Sequence, residues 1–544
     1  MSVQLHWIEK IIADLETREE TIQVFSTAKT PSGPIHVGVG RELVYCSVFE
    51  KALRERGQST RFLFFVDDFD SLKSFPSNVP SNFSKQRELI GKPLHLVPCP
   101  FGDCESWARH YATELLESFP GFGFFPEIIW THELYRKTEM KELIRTALKR
   151  VEEIRRILTE VTAATLSDVQ REKFLRQLDG WYPCLVVCEN CGKLKDGEVT
   201  SYDEARDTVT YKCGACGTKS EANVSQSAVK LRWRIDWPAK WALFRVTCEP
   251  AGKDHTVKGG AYDTGESICQ RVFGWKGPYR VPYEWILLGE RAMKTHKGIS
   301  FTFKEWQASA PEETYRYMVL REEPRKHITF LPDRIPQLLD EFERTEQIFF
   351  GRQRASSTDE ERNLKMIYPY VITHRLENKL PVQLPFRFAL ILTQLSEFLT
   401  TEKIILKASE VIRRIQSFDN LTNQDLINVK ARLQQARYWL EHYGPEELKF
   451  KISSKLDPMI KERLEPQHKK ALSDVKEMLQ SKEWTDIDLQ YEIFELGKRY
   501  GLKSRIFEIL YLVFLGRSFG PRLAPFMLSL DRAFVLQRIT EALD

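Results

Sequence analysis

Residues 21–70 of the chain read TIQVFSTAKTPSGPIHVGVGRELVYCSVFEKALRERGQSTRFLFFVDDFD, and their pattern decides the fold class. The β-branched and aromatic run at 21–28 predicts a strand, and the small and polar residues at 30–40 predict a loop. Apolar residues at helical spacing over 41–57 predict a helix, and the run at 59–70 predicts a second strand. Strand, glycine-bearing loop, helix and strand in this order indicate a parallel sheet and an α/β fold.

The loop at 30–40 and the acidic residues Asp67, Asp68 and Asp70 are expected at one edge of this sheet. Each follows a predicted strand, and ligands of parallel sheets bind beyond the carboxyl ends of the strands. The three carboxylates are equally suited to capping the next turn or to pairing with Arg and Lys side chains. We therefore do not assign them to substrate.

Within the loop, residues 30–38 have the composition of a phosphate-binding turn. Small residues let the backbone approach phosphates, the following helix offers free N–H groups, and His36 adds a side-chain donor. A tight turn with an internally satisfied histidine explains the same residues equally well. The motif alone does not choose between the two.

A basic, glycine-terminated segment lies much later, at residues 292–298 (AMKTHKG), after an apolar run at 283–288 that predicts a strand. A lysine-bearing loop opposite the His36 turn would enclose a triphosphate between two sources of positive charge. The alternative is a solvated basic turn. The functional interpretation requires that the two loops face one cleft.

Composition limits the class of protein without naming a partner. The 544 residues contain 80 Lys and Arg against 76 Asp and Glu, a net charge of +4 at pH 7. This length predicts about three or four domains and excludes a small disulfide-stapled module. Residues 1–21 predict an amphipathic helix and not a secretory signal, and no apolar run approaches the roughly 20 residues of a membrane-spanning helix. We expect a cytoplasmic protein with no membrane segment.

Four of the ten cysteines form two close pairs. Four thiolates in two short loops can close a tetrahedron around Zn²⁺, whereas buried or free thiols explain neither the paired spacing nor Gly192 and Gly214, which follow a cysteine in each pair. Such a site has no open position, so the metal is predicted to be structural. Cys184 is expected to pack and not to bind metal. The predicted ligands are Cys188, Cys191, Cys213 and Cys216.

Two longer patterns complete the organisation of the chain. Apolar residues at helical spacing predict one long amphipathic helix over 139–160. The cysteine-rich stretch that follows is expected to be an insertion, and the pattern after residue 315 becomes helical almost to the end. The C-terminal third is therefore predicted to be a helix bundle.

Taken together, these motifs resemble the class I aminoacyl-tRNA synthetases. PSGPIHVG (31–38) is similar to the first signature of that class, and AMKTHKG (292–298) is similar to a degenerate form of the second. Further segments narrow the resemblance to the archaeal-type class I lysyl-tRNA synthetases and follow that family's order over nearly the whole chain. They are FVDDFDSLKSFP (65–76), PCPFGDCESWARHY (98–111), HELYRKTEM (132–140), RIDWPAKWALF (234–244), GKDHTVKGGAYDTG (252–265), VPYEWILL (281–288), PRKHITF (324–330), LEHYGPEELKFKI (440–452) and FEILYLVFLGRSFGPRLAPFM (507–527).

The resemblance implies a two-step reaction in which lysine attacks the α-phosphate of ATP, pyrophosphate leaves, and the lysyl group passes to the 3′ end of tRNA(Lys). It implies L-lysine, ATP and tRNA(Lys) as partners, with Mg²⁺ and a structural Zn²⁺ as metals. The sequence does not determine the oligomeric state, and a monomer is one expectation. The expected domains are the first half of a Rossmann-like catalytic domain (1–137), an insertion with a four-cysteine zinc ribbon (138–228), the second catalytic half with the lysine loop (229–300), a connecting helical domain (301–380) and an all-α anticodon-binding helix bundle (381–544).

The same resemblance assigns site residues by motif. A lysine pocket needs aromatic walls along the apolar stem and an acceptor for the ammonium, and among its candidates Asp254 is the weaker one and Trp237 is equally explained by core packing. The predicted catalytic residues are His36, Gly38, Lys294 and Lys297. The predicted ATP-binding residues are Pro34, His36, Gly38, Met293 and Lys297. The predicted lysine-binding residues are Thr30, Trp237, Asp254, His255 and Tyr283.

The chain departs from the family pattern at both signatures. Val39 stands where the family usually has a polar residue, and Ala292 replaces the first lysine of the second signature, while Ala28 replaces a glycine of the pocket wall. A lost charge-assisted contact raises a barrier by about 2 to 4 kcal/mol. We expect Arg291 or Lys294 to substitute for the missing charge.

Two alternatives stay open. The first is a non-catalytic tRNA-binding paralogue, which predicts disrupted pocket segments, whereas GKDH, RIDWPAKW and VPYEW are intact. The second is a class I enzyme for another amino acid, such as glutamate or cysteine, which the C-terminal segments disfavour. Pyrophosphate exchange with different amino acids separates all three.

Overall fold

The strand predicted at 21–28 lies in the middle of a five-stranded parallel sheet. The strands of the protein are β1 (Ile22–Lys29), β2 (Ser59–Val66), β3 (Glu127–Trp130), β4 (Cys184–Val186), β5 (Gly197–Asp203), β6 (Thr208–Cys213), β7 (Lys219–Asn223), β8 (Val229–Leu231), β9 (Cys248–Gly252), β10 (Tyr279–Tyr283), β11 (Ile286–Leu288), β12 (Arg291–Ala292) and β13 (Ile328–Phe330). The central sheet has the order β10-β9-β1-β2-β3, and its neighbours pair in parallel. The predicted α/β fold is therefore confirmed.

The structure is a computed structural model that describes residues 6–226, 228–293, 300–397, 399–416, 421–452 and 455–544. The chain forms two units. The first comprises Met1–Lys304, Arg316–Phe330 and Tyr370–His374, and the second comprises Glu305–Tyr315, Leu331–Pro369 and Arg375–Asp544. The finer division into five domains stays a prediction.

Both units contain α-helices. They are α1 (Trp7–Glu16), α2 (Gly40–Glu55), α3 (Ser81–Ser84), α4 (Trp107–Ser118), α5 (Thr131–Leu134), α6 (Thr138–Lys149), α7 (Val151–Val161), α8 (Asp168–Leu178), α9 (Trp233–Phe244), α10 (Lys253–Thr256), α11 (Ala261–Arg271), α12 (Phe303–Ser309), α13 (Glu312–Leu320), α14 (Ile335–Phe349), α15 (Thr358–Val371), α16 (Phe386–Gln394), α17 (Thr401–Gln416), α18 (Asn423–His442), α19 (Pro458–Glu462), α20 (Pro466–Ser481), α21 (Asp486–Arg499), α22 (Arg505–Leu515), α23 (Leu523–Ser529) and α24 (Arg532–Leu543). In the described ranges, none of them is both long and apolar enough to span a bilayer.

The helix predicted over 41–57 is α2, and it packs on the parallel sheet. Leu43, Val44, Val48 and Phe49 are fully buried along it, while Phe25 and Leu63 are fully buried on β1 and β2. Each large apolar side chain buried in this way contributes about 1.5 to 3 kcal/mol relative to an exposed one. This packing fixes the turn that joins β1 to α2 at the carboxyl edge of the sheet.

Two predicted elements are wrong in their bounds. The single helix over 139–160 is two helices, α6 and α7, because Arg150 has φ −105° and ψ 25°. Its N–H still bonds Thr146 O and its carbonyl still accepts from Ile154 N, so the apolar stripe continues across the bend. The run at 283–288 is not one strand, since β10 pairs with β9 whereas β11 pairs with β13 in a second, three-stranded sheet.

The cysteine-rich insertion contains a separate five-stranded sheet with the order β7-β6-β5-β4-β8. Its neighbouring strands pair antiparallel, and short hairpins join β5 to β6 and β6 to β7. Val199, Val209 and Tyr211 are buried on its inner face.

The second unit is helical in its described part, as the pattern after residue 315 predicts. Helices α16, α17, α18 and α23 pack around Phe388, Leu392 and Trp439, which are almost fully buried. The helical C-terminal region is therefore confirmed.

Candidate functional site

A pocket of about 640 Å³ opens at the carboxyl ends of β1, β2, β9 and β10. Lys29, Asp67, Gly252 and Tyr283 line it from these four strand ends. The chain leaves β1 towards β2 and β3 on one side and returns to β9 and β10 on the other, so the pocket lies at the point where the strand order reverses. Open parallel sheets bind their ligands at this position.

The His36 turn forms one wall of the pocket. His36 stands directly before a short 3₁₀ helix that leads into α2, and its Nδ1 accepts a hydrogen bond of 3.1 Å from the Gly38 N–H. A Cβ at position 38 would lie 2.7 Å from that nitrogen, so only glycine allows this contact. Because Nδ1 is an acceptor, Nε2 carries the ring proton and is free to donate.

Burial, with a smaller contribution from the charge of Lys29, lowers the pKa of His36 to about 4. The imidazole is therefore neutral near pH 7. It acts as a fixed hydrogen-bond donor and does not bring a positive charge.

Two contacts hold the loop that precedes His36. Thr30 Oγ1 donates a hydrogen bond of 2.8 Å to Asp70 Oδ2, and the buried indole of Trp107 donates one of 3.1 Å to Pro31 O. Residues from the ends of β1 and β2 are thereby locked together. This orients the turn before any ligand binds.

Residues on both sides of the predicted lysine loop contact the His36 turn. Met293 Cε lies 3.5 Å from the position that a Cβ of residue 38 would take, and Val37 N donates a hydrogen bond of 2.8 Å to Phe301 O. His36 and Thr302 also form an isolated antiparallel bridge. Lys294 and Lys297 themselves lie outside the described residues.

A buried network of carboxylates and ammonium groups lies on the α9 side of the pocket. Lys240 Nζ lies 2.5 Å from Asp67 Oδ1 and 2.9 Å from Asp236 Oδ2. Lys230 Nζ lies 3.0 Å from Asp70 Oδ1. Burial lowers the pKa of Lys240, but Asp236 and Asp67 outweigh it and hold that pKa above its usual value.

The neighbouring Asp68 has a structural role. Its Oδ1 accepts a hydrogen bond of 2.9 Å from the backbone N–H of His132, and its Oδ2 contacts His132 Nδ1. Asp68 thus binds the backbone of α5, 64 residues away, and not the next turn, while Asp67 and Asp70 form ion pairs with lysines of α9 and β8 and not, in the described part of the chain, with the loops at 30–40 and 292–298.

The pocket floor carries a carboxylate among aromatic rings. Glu249, 5% exposed, accepts hydrogen bonds from the indole N–H groups of Trp237 at 2.5 Å and Trp241 at 2.8 Å, and from the Ser26 hydroxyl. Burial raises the pKa of Glu249 to about 7, although these hydrogen bonds lower it in part. The ring centroids of Trp237 and Tyr262 lie 5.6 Å apart.

A second carboxylate, Glu42 of α2, also lines the pocket. Its Oε2 accepts a hydrogen bond of 2.7 Å from Tyr283 OH. Burial raises the pKa of Glu42, while Tyr283 and the charge of Lys29 lower it in part. Tyr283 therefore lines the pocket with its ring and holds the Glu42 carboxylate with its hydroxyl group.

The cysteine pairs approach one another at one end of the antiparallel sheet. The Sγ atoms of Cys188 and Cys216 lie 3.5 Å apart, those of Cys191 and Cys213 lie 3.6 Å apart, and all four lie within 4.8 Å of one another. Ligand atoms at 2.3 Å from a tetrahedral zinc are about 3.8 Å apart. The donor set therefore fits Zn²⁺.

The two cysteine loops repeat one backbone pattern. Gly192 N donates to Cys188 O and Gly217 N donates to Cys213 O, at 2.8 and 2.9 Å. Both glycines have positive φ, 70° and 78°, which other residues rarely adopt. Gly192 and Gly217 are thus equivalent, each four residues after the first cysteine of its pair.

A second group of metal-binding side chain types was not found from the sequence. Cys99, Asp103, Cys104 and His110 place their ligand atoms within 4.8 Å of one another, with Cys99 Sγ 2.9 Å from Asp103 Oδ1. Their spacing, C-x₃-D-C-x₅-H, is readable as a local pattern. These four side chains are of the types that hold zinc.

Comparisons with known proteins agree with this geometry. A profile of the family described as "tRNA synthetases class I (K)" matches residues 5–373. The chain is 35% identical over 542 residues to the lysine–tRNA ligase of Methanocaldococcus jannaschii, with 98% of this chain and 99% of that protein covered. It is 35% identical to that of Thermococcus kodakarensis, with 98% and 99% covered, and 33% identical to that of Archaeoglobus fulgidus, with 99% and 100% covered.

The chain belongs to the class I tRNA synthetase family (K). The resemblance inferred from the signatures and from the segments along the chain is therefore confirmed.

The pocket of this class I synthetase brings together most of the residues that the motifs assign, and their individual roles stay predictions. Pro34 is not among the lining residues, and Lys294 and Lys297 lie outside the described part of the chain. The assigned residues that line the pocket are Thr30, His36, Gly38, Trp237, Asp254, His255, Tyr283 and Met293.

Sequence reasoning missed five charged residues of the synthetase pocket, Lys29, Glu42, Asp236, Lys240 and Glu249. Asp236 and Lys240 are four residues apart, a spacing that places them on one helix face and was readable. Glu249 lies on the short strand β9, with no motif around it. Only the packing of α9 against β1 and β9 shows that it reaches the pocket.

Proposed function

We propose that this class I synthetase is a lysine–tRNA ligase, which activates lysine with ATP and transfers it to the 3′ end of tRNA(Lys). The observation that carries the proposal is the similarity over 98% of the chain to relatives named lysine–tRNA ligase. The pocket at the strand-order reversal supports it, because the pocket combines a phosphate-type turn with an aromatic, acidic floor.

The chemistry requires positioning and not a covalent nucleophile. The lysine carboxylate attacks the α-phosphorus, and charge accumulates on the departing pyrophosphate. His36 supplies the Nε2 proton as a neutral donor to this charge, and Gly38 lets its ring take that orientation. Lys297 and Lys294 are proposed to neutralise pyrophosphate, with Met293 against the nucleotide.

Two metals belong to the proposal. Zn²⁺ in the group of four cysteines closes the ribbon and takes no part in the reaction, since four thiolates leave no open position. Mg²⁺ accompanies ATP, and it prefers phosphate oxygens and water to a protein cage. The pairing of Asp67, Asp70 and Asp236 with lysines agrees with a metal held mainly by the nucleotide.

We also place the protein in the cytoplasm, with the helices of residues 381–544 binding the anticodon. The resemblance of the C-terminal segments supports the last assignment. Aminoacylation of tRNA(Lys) with altered anticodon bases measures it.

Exchange of pyrophosphate into ATP, measured separately in the presence of each of the twenty amino acids, tests the function. We expect exchange with lysine above all others, followed by charging of tRNA(Lys). Binding of tRNA without exchange would favour a non-catalytic paralogue, and exchange with a different amino acid would replace lysine as the substrate.

A further inference from the structure

The buried carboxylates of the pocket differ in what balances their charge. Asp67 and Asp236 lie against Lys240, and Asp70 lies against Lys230, all within 3.0 Å. Glu42 has Lys29 close enough for the positive charge to lower its pKa. These carboxylates already have a cation from the protein itself.

Glu249 is different. Its partners are the Ser26 hydroxyl and the indole N–H groups of Trp237 and Trp241, all of them neutral. In the described part of the chain, no Lys, Arg or His nitrogen lies within 4.0 Å of its carboxylate. A buried carboxylate without a cation is costly, unless a ligand brings the missing charge.

The surroundings of Glu249 fit a particular kind of cation. Trp237 lines the pocket and stands beside Trp241 and Tyr262, with centroids 4.9 and 5.6 Å away. Aromatic faces attract ammonium groups and also cover an aliphatic stem. A divalent metal would not need such apolar walls, because it prefers oxygen ligands and water.

We propose that Glu249 accepts the side-chain ammonium of the lysine substrate, with Trp237 covering the methylene chain. This inference rests on the proposed function and goes beyond it by naming the residue that selects the amino acid. It replaces Asp254, the acidic candidate of the sequence, which is exposed on the short helix α10.

The orientation of Glu249 is fixed in advance by its neighbours. Trp237 holds Oε1 while Trp241 and Ser26 hold Oε2, so both oxygens are anchored from α9 and β1. Oε1, which accepts only from Trp237, keeps a further lone pair for an ammonium proton. A donor set of this kind positions the charge without neutralising it.

Steady-state pyrophosphate exchange with the full-length protein and its Glu249→Gln variant tests the assignment. We expect the KM for lysine to rise about 100-fold, because a buried ion pair is lost, while kcat and the KM for ATP change little. Inhibition by norleucine, which lacks the ammonium, should be as strong as before or stronger, so that the preference for lysine over norleucine falls by a similar factor.

Two further variants separate a binding role from a structural one. Glu249→Asp keeps the negative charge but moves it away from the ammonium, because its side chain is one methylene shorter. We expect about a tenfold rise in the KM for lysine. Glu346→Gln is the matched control, because Glu346 is also a buried carboxylate held by neutral donors, Tyr368 OH at 2.9 Å and the Gln383 amide, but it belongs to the second unit. It should leave the KM for lysine unchanged.

The outcomes are distinct. If the unmodified protein activates lysine and the KM for lysine stays within threefold in both Glu249 variants, the inference is wrong and the proposed function stands. If norleucine inhibition weakens in parallel with lysine binding, Glu249 shapes the pocket and does not bind the ammonium, so the inference is again wrong. If the unmodified protein activates an amino acid other than lysine, the proposed function fails and this assignment fails with it.

Discussion

The first unit contains two five-stranded sheets, which differ in how far apart along the sequence their neighbouring site residues lie. In the parallel sheet, residues more than two hundred positions apart meet across neighbouring strands, as Ser26 of β1 and Glu249 of β9 do. In the antiparallel sheet, hairpins bring the cysteines of residues 188–216 together within one short stretch.

The two sheets also differ in what stabilises them. The parallel sheet has α2 packed on its apolar residues, and its buried charges other than Glu249 are paired within the protein. The antiparallel sheet has buried side chains of its own, such as Val199, Val209 and Tyr211, and a metal held by the cysteines is expected to add to its stability. The parallel sheet is stabilised by its own packing and can therefore accommodate the buried charges of the pocket. In the antiparallel sheet, by contrast, a metal bound to the cysteines would itself contribute stability.

The largest effect is expected from removing a cysteine ligand. Cys213→Ser should abolish zinc binding and with it most of the metal-derived stability, which is about 10 to 16 kcal/mol in structural zinc sites. Metal content measured by mass spectrometry should fall to background. Hydrogen exchange should show loss of protection in β5, β6 and β7 and retained protection in β1 and β2.

Cys184→Ala is the control for this experiment. Cys184 is buried on β4 in the same sheet but lies outside the group of four close thiols. It should keep zinc at full occupancy. Equal loss of protection in both sheets after Cys213→Ser would contradict their independent stabilisation.

A smaller effect is expected inside the parallel sheet from Lys240→Met. Removing this ammonium leaves Asp67 and Asp236 without their shortest ion pairs, and breaking a buried pair costs about 3 to 5 kcal/mol. The opening free energy of β2 amides, measured by hydrogen exchange, should fall by that amount. The double variant Lys240→Met with Asp67→Asn should recover part of the loss, and additive losses would show that the two groups are not coupled.

The next effect concerns catalysis and not stability. His36→Ala removes the neutral donor of the first signature, and we expect kcat of lysine-dependent pyrophosphate exchange to fall about 10² to 10³-fold with little change in the KM for lysine. His442→Ala, an exposed histidine on α18, is the control and should keep full exchange. A fall confined to the KM for lysine would place His36 at the amino acid and not at the phosphates.

The smallest effect is the pH dependence contributed by Glu249. Its pKa in the folded protein is about 7, above the ordinary 4.5, so the folded state binds this proton more tightly than the unfolded state does. The associated stability is complete below about pH 4.5 and is lost as pH rises through 7. Relative to Glu249→Gln, the protein should lose roughly 2 kcal/mol of stability between pH 5 and 8, measured by chemical denaturation. A constant difference across this range would show that burial does not perturb the carboxylate.

Local patterns were sufficient for several parts of the molecule. The pattern over 21–70 predicted β1 and α2 to within two residues and the start of β2, although β2 ends at Val66 and not at residue 70. The two C-x-x-C pairs predicted a group of four close thiols, because the spacing itself places both sulfurs of each pair in one loop. The motif residues from 30–38 also reach the pocket.

Other parts required the folded chain. The bend at Arg150 and the division of 283–288 into two strands leave no mark in the apolar pattern, since the pattern continues across both. The ion pairs of Asp67 and Asp70 depend on lysines more than 150 residues away.

The group of four cysteines and the His36 turn could be predicted because each is built from short loops, whose backbone leaves those side chains few other arrangements. The role of Glu249 in the pocket could not be predicted from neighbouring residues in this way. A glutamate on a strand becomes a cation acceptor only when the hydroxyl of β1 and the two indoles of α9 surround it without neutralising it, and those groups are brought together by the packing of a helix on a sheet.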